Sequence, residues 1–360
     1  MLISQQFENK SFADLIARAH ACELCPEMAG CNRVLSDTNG PSNARIMFIG
    51  EAPGRLGAER TAIPFHGDVA GDNFERLLSL AGLSRSEVFV TNSILCNPTD
   101  DKGNNAPPSK RAIRHCSNLL RDQIEVINPD IIVTLGAAAL NALTLVCPHT
   151  LTVSESVRTM HDWNGRKLIP LYHPGARAMI HRNFAAQTAD YYFVGESYRR
   201  LFSKRAKTAS VIPPRAGWEI VRYVLSEMQV LSLFKLHKIM YLLDYRYLKD
   251  HDSKLTDFFY IRQKDGPYCV ELGSRWYKKF ESVDVSFRSG KPILNWNGGD
   301  LFSERVPLAE SLKAEVDELL SALTQLSESE LKTRAYLTSP MKRALRAERV
   351  GLIGLNRALI

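Results

Sequence analysis

The 360-residue chain lacks a basic-then-apolar leader, so no secretory signal is expected. It also lacks a long unbroken apolar run. The longest such stretch, Ile131 to Cys147, is interrupted by Thr134, Gly136, Asn141 and Thr144. It reads as a buried strand followed by a helix rather than a membrane span. No internal repeat and no low-complexity tract is found, which speaks against a repeat array or a disordered tail. The cytoplasm is the expected compartment. There, seven cysteines argue against a disulfide framework and towards metal ligation or plain burial. The length allows two domains, each with its own core. What is in excess is positive charge: a formal +7 favours acidic partners, nucleic acid foremost.

Four short apolar runs organise the first half, and each ends at a polar residue or a glycine. Ala44–Ile49 runs into Gly50-Glu51-Ala52-Pro53-Gly54, and Glu87–Val90 into Thr91-Asn92. Asp130–Leu135 ends at Gly136, and Lys167–Leu171 runs into Tyr172-His173-Pro174. Strands alternating with helix-length segments predict a parallel sheet in an α/β domain. In such sheets the ligand crevice lies outside the carboxyl ends of the strands, which would bring Glu51, Asn92 and His173 together. A helix is expected over Ser11–Ala21, with Ser11 and Asp14 in capping-box spacing and Phe12, Leu15, Ile16 and Ala19 on one face. Asn97–Ser109, rich in Pro, Asn, Asp and Gly, reads as a loop.

The first domain is expected over residues 1–202, a basic Pro-containing linker over 203–215, and a second, mainly helical α+β domain over 216–360. In the second, Leu236, Ile239, Met240, Leu243 and Tyr247 recur at helical spacing. Strand-like segments lie around Phe258–Arg262 and Val283–Phe287, and another helix over Leu308–Leu326.

Cys22 and Cys25 form a pair separated by two residues, and Cys96 and Cys116 follow far downstream. A local pair joined by two distant thiols is how a four-thiolate site staples loops, for an iron–sulfur cluster or for zinc. Cys31 could replace one of the four. Cys147 and Cys269 sit in apolar settings and read as structural.

Taken in order, the Cys22/Cys25 pair, Gly50–Gly54, Pro64-Phe65 with Gly67, Thr91-Asn92, Cys96, Cys116 and His173-Pro174 carry a family likeness. The N-terminal domain resembles the iron–sulfur uracil-DNA glycosylases, the family 4 branch of the uracil-DNA glycosylase superfamily, over roughly residues 15–200. The resemblance implies a three-layer α/β/α sandwich around a four-stranded parallel sheet, with a 4Fe-4S cluster on Cys22, Cys25, Cys96 and Cys116. It implies an enzyme that flips a base out of DNA and hydrolyses its N-glycosidic bond. Phe65 would stack on the extruded base and Asn92 would bond its Watson–Crick edge, with Gly50, Ala52 and Gly54 lining the pocket. Glu51 would stabilise positive charge on the sugar and orient water, and His173 would donate to the base carbonyl. Pro53, Pro174, Arg177 and Arg182 are the expected grips on flanking phosphates.

The chain departs from the family pattern on the side facing C5 of the pyrimidine. After Gly54 the stretch Arg55–Arg60 carries only one carboxylate, Glu59, and it is displaced. Leu95 and Asn97 flank the third cysteine where Lys and Arg are usual, and Gly54 stands where the best-known uracil enzymes place tyrosine. These departures lead to the expectation of a C5-modified base, such as a hypermodified cytosine of phage DNA, with uracil as the alternative. A catalytically silent DNA-binding or antitoxin-type protein is the alternative of another class.

In the second domain, Leu233–Tyr245, Lys254-Leu255-Thr256, Phe259-Tyr260 and Gly266-Pro267 resemble the Panacea domain, an antitoxin-associated module. The resemblance implies partner binding, regulation or positioning on DNA, and an antiviral setting for the whole chain.

Overall fold

The computed structural model describes residues 11–202, 217–273, 276–280, 282–298, 308, 310–352 and 355–360, and the expected linker over 203–215 lies outside them. The chain divides into two compact units, Met1–Ala206 and Lys207–Ile360. Among the described residues no helix is long and apolar enough to cross a membrane.

The first unit is built on a five-stranded sheet. Its strands are β1 (Ile46–Gly50), β2 (Val88–Asn92), β3 (Ile131–Leu135), β4 (His161–Trp163) and β5 (Arg166–Leu171), ordered β2-β1-β3-β5-β4. The four expected strands are all present and mutually parallel. The count of four is corrected to five by β4, a short antiparallel edge strand joined to β5 by a tight turn at Asn164-Gly165. Three residues with little apolar alternation gave no strand signal in the sequence.

Each central strand is a short apolar run because both faces of the sheet are covered. Met47 and Ile49 of β1 pack with Leu119, Leu120 and Ile124 of the helix Lys110–Ile127 and with Leu15 and Ala19 of the helix Phe12–His20. The alternate residues Ile46 and Phe48 pack with Phe74 and Leu77 of the helix Val69–Leu80 and with Tyr191 and Val194 of the helix Phe184–Phe202. The result is a three-layer sandwich. Ser11 caps the first helix in a capping box with Asp14. Asn97–Ser109 is irregular as expected, with one isolated bridge between Thr99 and Asn105, and Ser109 caps the next helix.

The second unit is dominated by helices: Gly217–Met228, Leu233–His251, Glu310–Thr324, Glu328–Leu337 and Ser339–Arg349. They pack around a three-stranded antiparallel sheet, β6 (Val230–Ser232), β10 (Lys291–Trp296) and β9 (Val283–Arg288), and a hairpin of β7 (Tyr260–Gln263) and β8 (Gly266–Cys269). Leu236, Ile239, Met240 and Leu243 are buried along the helix Leu233–His251 and Tyr247 is half-buried, which is the face that their spacing predicts.

Candidate active site

The carboxyl ends of β1, β2 and β5 open into one cavity of about 480 Å³, lined by Glu51, Phe65, Asp68, Asn92, Asn105 and His173, among others. Parallel register places Gly50 beside Asn92. The pairing continues past the strand ends: Ser93 donates its backbone N–H to the Gly50 carbonyl (2.8 Å) and its hydroxyl to that of Glu51 (2.6 Å). Glu51 and Asn92 are therefore fixed as neighbours by backbone bonds, and their side chains stay free for chemistry.

Asn92 is 2% exposed, yet among the described residues neither its amide oxygen nor its amide nitrogen has a hydrogen-bond partner. An unpaired buried amide atom costs about 1–3 kcal/mol, so a side chain carrying two is held ready for a ligand that satisfies both. The edge of a nucleobase offers a donor beside an acceptor. Gly50 makes room for this arrangement: a Cβ there would lie 2.4 Å from Asn92 Oδ1 and 2.6 Å from the Phe65 ring.

Phe65 presents its ring between Phe74 (centroids 5.1 Å apart) and His173 (5.5 Å). Its backbone sits in the left-handed region at φ 50°, unusual for a bulky side chain. Arg85 holds it there. The guanidinium donates to the carbonyls of Pro64 and Phe65 and is anchored by Glu75 at 2.7 Å. Sequence reasoning missed Arg85, which lies in an unremarkable loop twenty residues downstream.

His173 accepts a hydrogen bond at Nδ1 from the backbone N–H of Gly175 (2.9 Å), which leaves the proton of the neutral ring on Nε2. Burial holds the imidazole below its ordinary pKa, opposed by the carboxylate of Asp68. A neutral donor is the form suited to a carbonyl that gains negative charge as its base departs. Gln187 and Asn73 fix the loop by donating to the carbonyls of His173 (3.2 Å) and Pro174 (2.9 Å). Glu51 is half-buried, and burial raises its carboxyl above the usual carboxylate range. That makes it a better base than an exposed glutamate.

Gly54, Ala52 and Pro53 line the cavity, and Arg177 stands exposed at its rim. The expectation for the other two phosphate grips is corrected. Arg182 forms a two-pronged pair with Asp190, whose side chain is 1% exposed, so its guanidinium serves the fold. Pro174 is buried and outside the cavity lining. Glu59 is turned away, accepting from the Asn32 backbone N–H at 2.8 Å.

Behind the pocket, Met28, Ile94, Ala112 and Cys116 form an apolar cluster against which Cys25, Cys31, Cys96 and the pocket residue Ala52 pack. The thiols of Cys22, Cys25, Cys96 and Cys116 are close enough to influence one another electrostatically. Burial pushes Cys96 up to about 12 and Cys116 up to about 11. Cys25, Cys96 and Cys116 gather at this apolar cluster with Cys22 near enough to be felt, and a cation there would offset the cost of ionising such thiols. Cys31 is engaged elsewhere, donating to the Asn97 carbonyl at 3.1 Å. Among the described residues no group of three or more His, Cys, Asp or Glu is drawn into ligating geometry.

The family model described as the uracil DNA glycosylase superfamily matches residues 38–194. The chain is 35% identical over 159 residues to the type-4 uracil-DNA glycosylase of Thermotoga maritima, covering 44% of this chain and 78% of that one. It is 41% identical over 170 residues to the type-4 enzyme of Saccharolobus solfataricus, covering 45% and 76%. A type-5 uracil-DNA glycosylase of Pyrobaculum aerophilum is 24% identical over 191 residues.

Proposed function

The chain belongs to the uracil-DNA glycosylase superfamily as a DNA N-glycosylase, and we propose that it excises a C5-modified pyrimidine, leaving an abasic site. The observation that carries the excision chemistry is Asn92, whose buried amide has both of its polar atoms unpartnered within a cavity shared with Phe65, Glu51 and His173. The base rests on the Phe65 ring and bonds Asn92 by its Watson–Crick edge. His173 Nε2–H donates to the carbonyl oxygen as the glycosidic bond lengthens and electrons pass to the base. Glu51 stabilises the positive sugar and takes a proton from the attacking water. Arg177 grips a phosphate at the rim.

The C5-modified reading is supported by the open side of the cavity at Gly54 and by the withdrawal of Glu59. A hypermodified cytosine of phage DNA is the substrate proposed, which makes the activity an antiviral one, and uracil is the alternative. Cys22, Cys25, Cys96 and Cys116 would hold a 4Fe-4S cluster, or zinc in its place, which staples the loops behind the pocket. The second unit, through its Panacea likeness, is proposed as an interaction module.

The test is base release from a uracil-containing duplex and from phage DNA carrying glucosylated hydroxymethylcytosine. Abasic sites in the phage DNA alone are expected; cleavage of the uracil duplex alone returns the enzyme to base-excision repair. Glu51→Gln should retain DNA affinity and lose most turnover, on the order of 10²–10³. Unchanged turnover removes Glu51 from the mechanism. Purified protein should absorb broadly near ~400 nm when a cluster is bound. Colourless protein with stoichiometric zinc would replace the cluster with the metal.

A further inference from the structure

Glu51, Asn92 and His173 account for three sides of the bound pyrimidine: the sugar bond, the Watson–Crick edge and the carbonyl beside the sugar. The side left over is the C5 edge, and the cavity wall left over is Gly54 with Asp68 and Asn105 behind it. A Cβ placed on Gly54 would lie 3.0 Å from Asp68 Oδ2 and 3.9 Å from Asn105 Nδ2. A Cβ on Gly57 would come closer still to Asp68 Oδ2, at 2.5 Å, so the two glycines together make room for this carboxylate at the cavity wall.

Both side chains are held from behind. Asp68 Oδ1 accepts from the Gly71 backbone N–H at 2.8 Å and caps the helix Val69–Leu80. Its Oδ2 makes no hydrogen bond among the described residues. Asn105 Oδ1 accepts from the Arg55 backbone N–H (2.9 Å) and from Asn97 Nδ2 (3.1 Å), and Asn97 is buried and also donates to the Pro53 carbonyl. That fixes which way the Asn105 amide faces and leaves its Nδ2 as the outward group. The wall thus presents one acceptor and one donor, each oriented by a bond on its other atom.

From this we infer that Asp68 and Asn105 form a specificity subsite over Gly54 that takes the hydroxyl groups of the C5 substituent. An ionised carboxylate can only accept and an amide NH₂ can only donate. A hydroxyl does both, so a substituent bearing one or more hydroxyls satisfies the pair. A methyl group forgoes both bonds, at the half-buried Asp68 and at the exposed Asn105 alike. A site built around such groups discriminates strongly against an analogue that lacks them. The inference rests on the base-excision reading of the same cavity and names the chemistry that its open side selects.

The experiment measures single-turnover release and kcat/KM on matched duplexes. One pair is uracil against 5-hydroxymethyluracil; the other is 5-methylcytosine against glucosylated 5-hydroxymethylcytosine. Asp68→Asn keeps the cap and replaces the acceptor facing Gly54 with a donor; Asn105→Asp does the reverse. Each should lower the preference for the hydroxyl-bearing base about tenfold or more, as expected for a hydrogen bond to a charged acceptor or its mismatch. For Asn105→Asp the loss should fall on KM and kcat for that base alone. Asp68→Asn also removes the carboxylate that opposes the lowering of the His173 pKa, so its effect is read as the ratio between the two members of a pair, with thermal unfolding unchanged in both variants. Equal losses on both members of a pair would show that the two residues only support the fold, and a parent enzyme that prefers the unsubstituted bases would equally overturn the subsite. If the parent releases none of the four bases and Glu51→Gln changes nothing, the glycosylase reading itself has failed. If the parent releases the hydroxyl-bearing bases and both variants keep the parent's preference, only the subsite has.

Discussion

Buried polar groups behave differently in the two units. In the second unit Asp244 is fully buried, and every bond it makes is internal: Thr256 donates its backbone N–H (2.7 Å) and its hydroxyl, and Tyr260 its phenol (2.6 Å). Lys238, 3% exposed, donates to the Pro267 carbonyl at 2.7 Å, and His237 accepts from the Cys269 backbone N–H at 3.1 Å. Their bonds tie the helix Leu233–His251 to the β7–β8 hairpin. In the first unit Asn92, 2% exposed, has no hydrogen-bond partner among the described residues. A satisfied polar network specifies a fold; an unsatisfied amide facing a cavity is stability given up for recognition. Charge divides along the same line. Residues 207–360 hold 24 Lys and Arg against 19 Asp and Glu, whereas residues 1–206 hold 22 against 20. Most of the basic excess that suggested nucleic acid therefore lies outside the catalytic unit.

The sharpest way to break this comparison is Asn92→Ala. Base release should fall by about 10²–10³ while the unfolding temperature stays put, since no native hydrogen bond is lost. A large drop in stability would mean that the amide has a structural partner after all. The reverse is expected of Asp244→Ala, which strands the donors of Thr256 and Tyr260. It should cost about 2–4 kcal/mol of stability, read by urea unfolding, with base release per folded molecule unaltered.

Two pH experiments sharpen the contrast further. Burial raises Asp244 to about 6, so its protonated form is the one that folding favours. Its contribution is full below its ordinary value of 3.8 and is lost as pH rises through about 6. His237, held down to about 3, tilts the stability of the same unit in the opposite sense. The effect is therefore read as a difference: Asp244→Asn should gain on the parent as pH rises from about 4 to about 6. Glu51 acts as a base only when ionised. Its raised pKa should move the acid limb of the parent's pH–rate profile above the ordinary glutamate value of 4.5, and Glu51→Gln should abolish that limb. The smallest effect is expected at Arg177→Ala: a few-fold loss of DNA affinity and a salt slope shallower by about 1, for any sequence. Arg182→Ala should instead lower stability, because it leaves Asp190 buried without its guanidinium.

The parallel strands, the first helix with its capping box and the face of the helix Leu233–His251 were legible because each is a local pattern of period 2 or 3.6 or a turn signal. Glu51, Asn92 and His173 were legible because strand ends in a parallel sheet converge by topology. β4, β6, β8 and β10 were not, being three to six residues long and short of alternating apolar residues. Arg85, Asp68 and Asn105 escaped notice for another reason. An arginine in a loop, an aspartate before a helix and an asparagine among prolines have ordinary local explanations, and only packing shows what they face.

The sequence by itself determined the α/β architecture of the first unit, the ordered motifs that mark its superfamily and the meeting of Glu51, Asn92 and His173 at one cavity. These depend on periodicity and on short fixed spacings, which any chain segment carries with it. The tertiary structure alone decided which arginine stands exposed at the cavity rim and which is paired with a buried aspartate. It also decided which histidine nitrogen bears the proton, and that Asp68 and Asn105 both lie beside Gly54 at the cavity wall. Asp68 and Asn105 are tens of residues apart, and even Arg182 with Asp190 or His173 with Gly175, close in sequence, are set by desolvation and hydrogen-bond geometry, which local pattern does not carry.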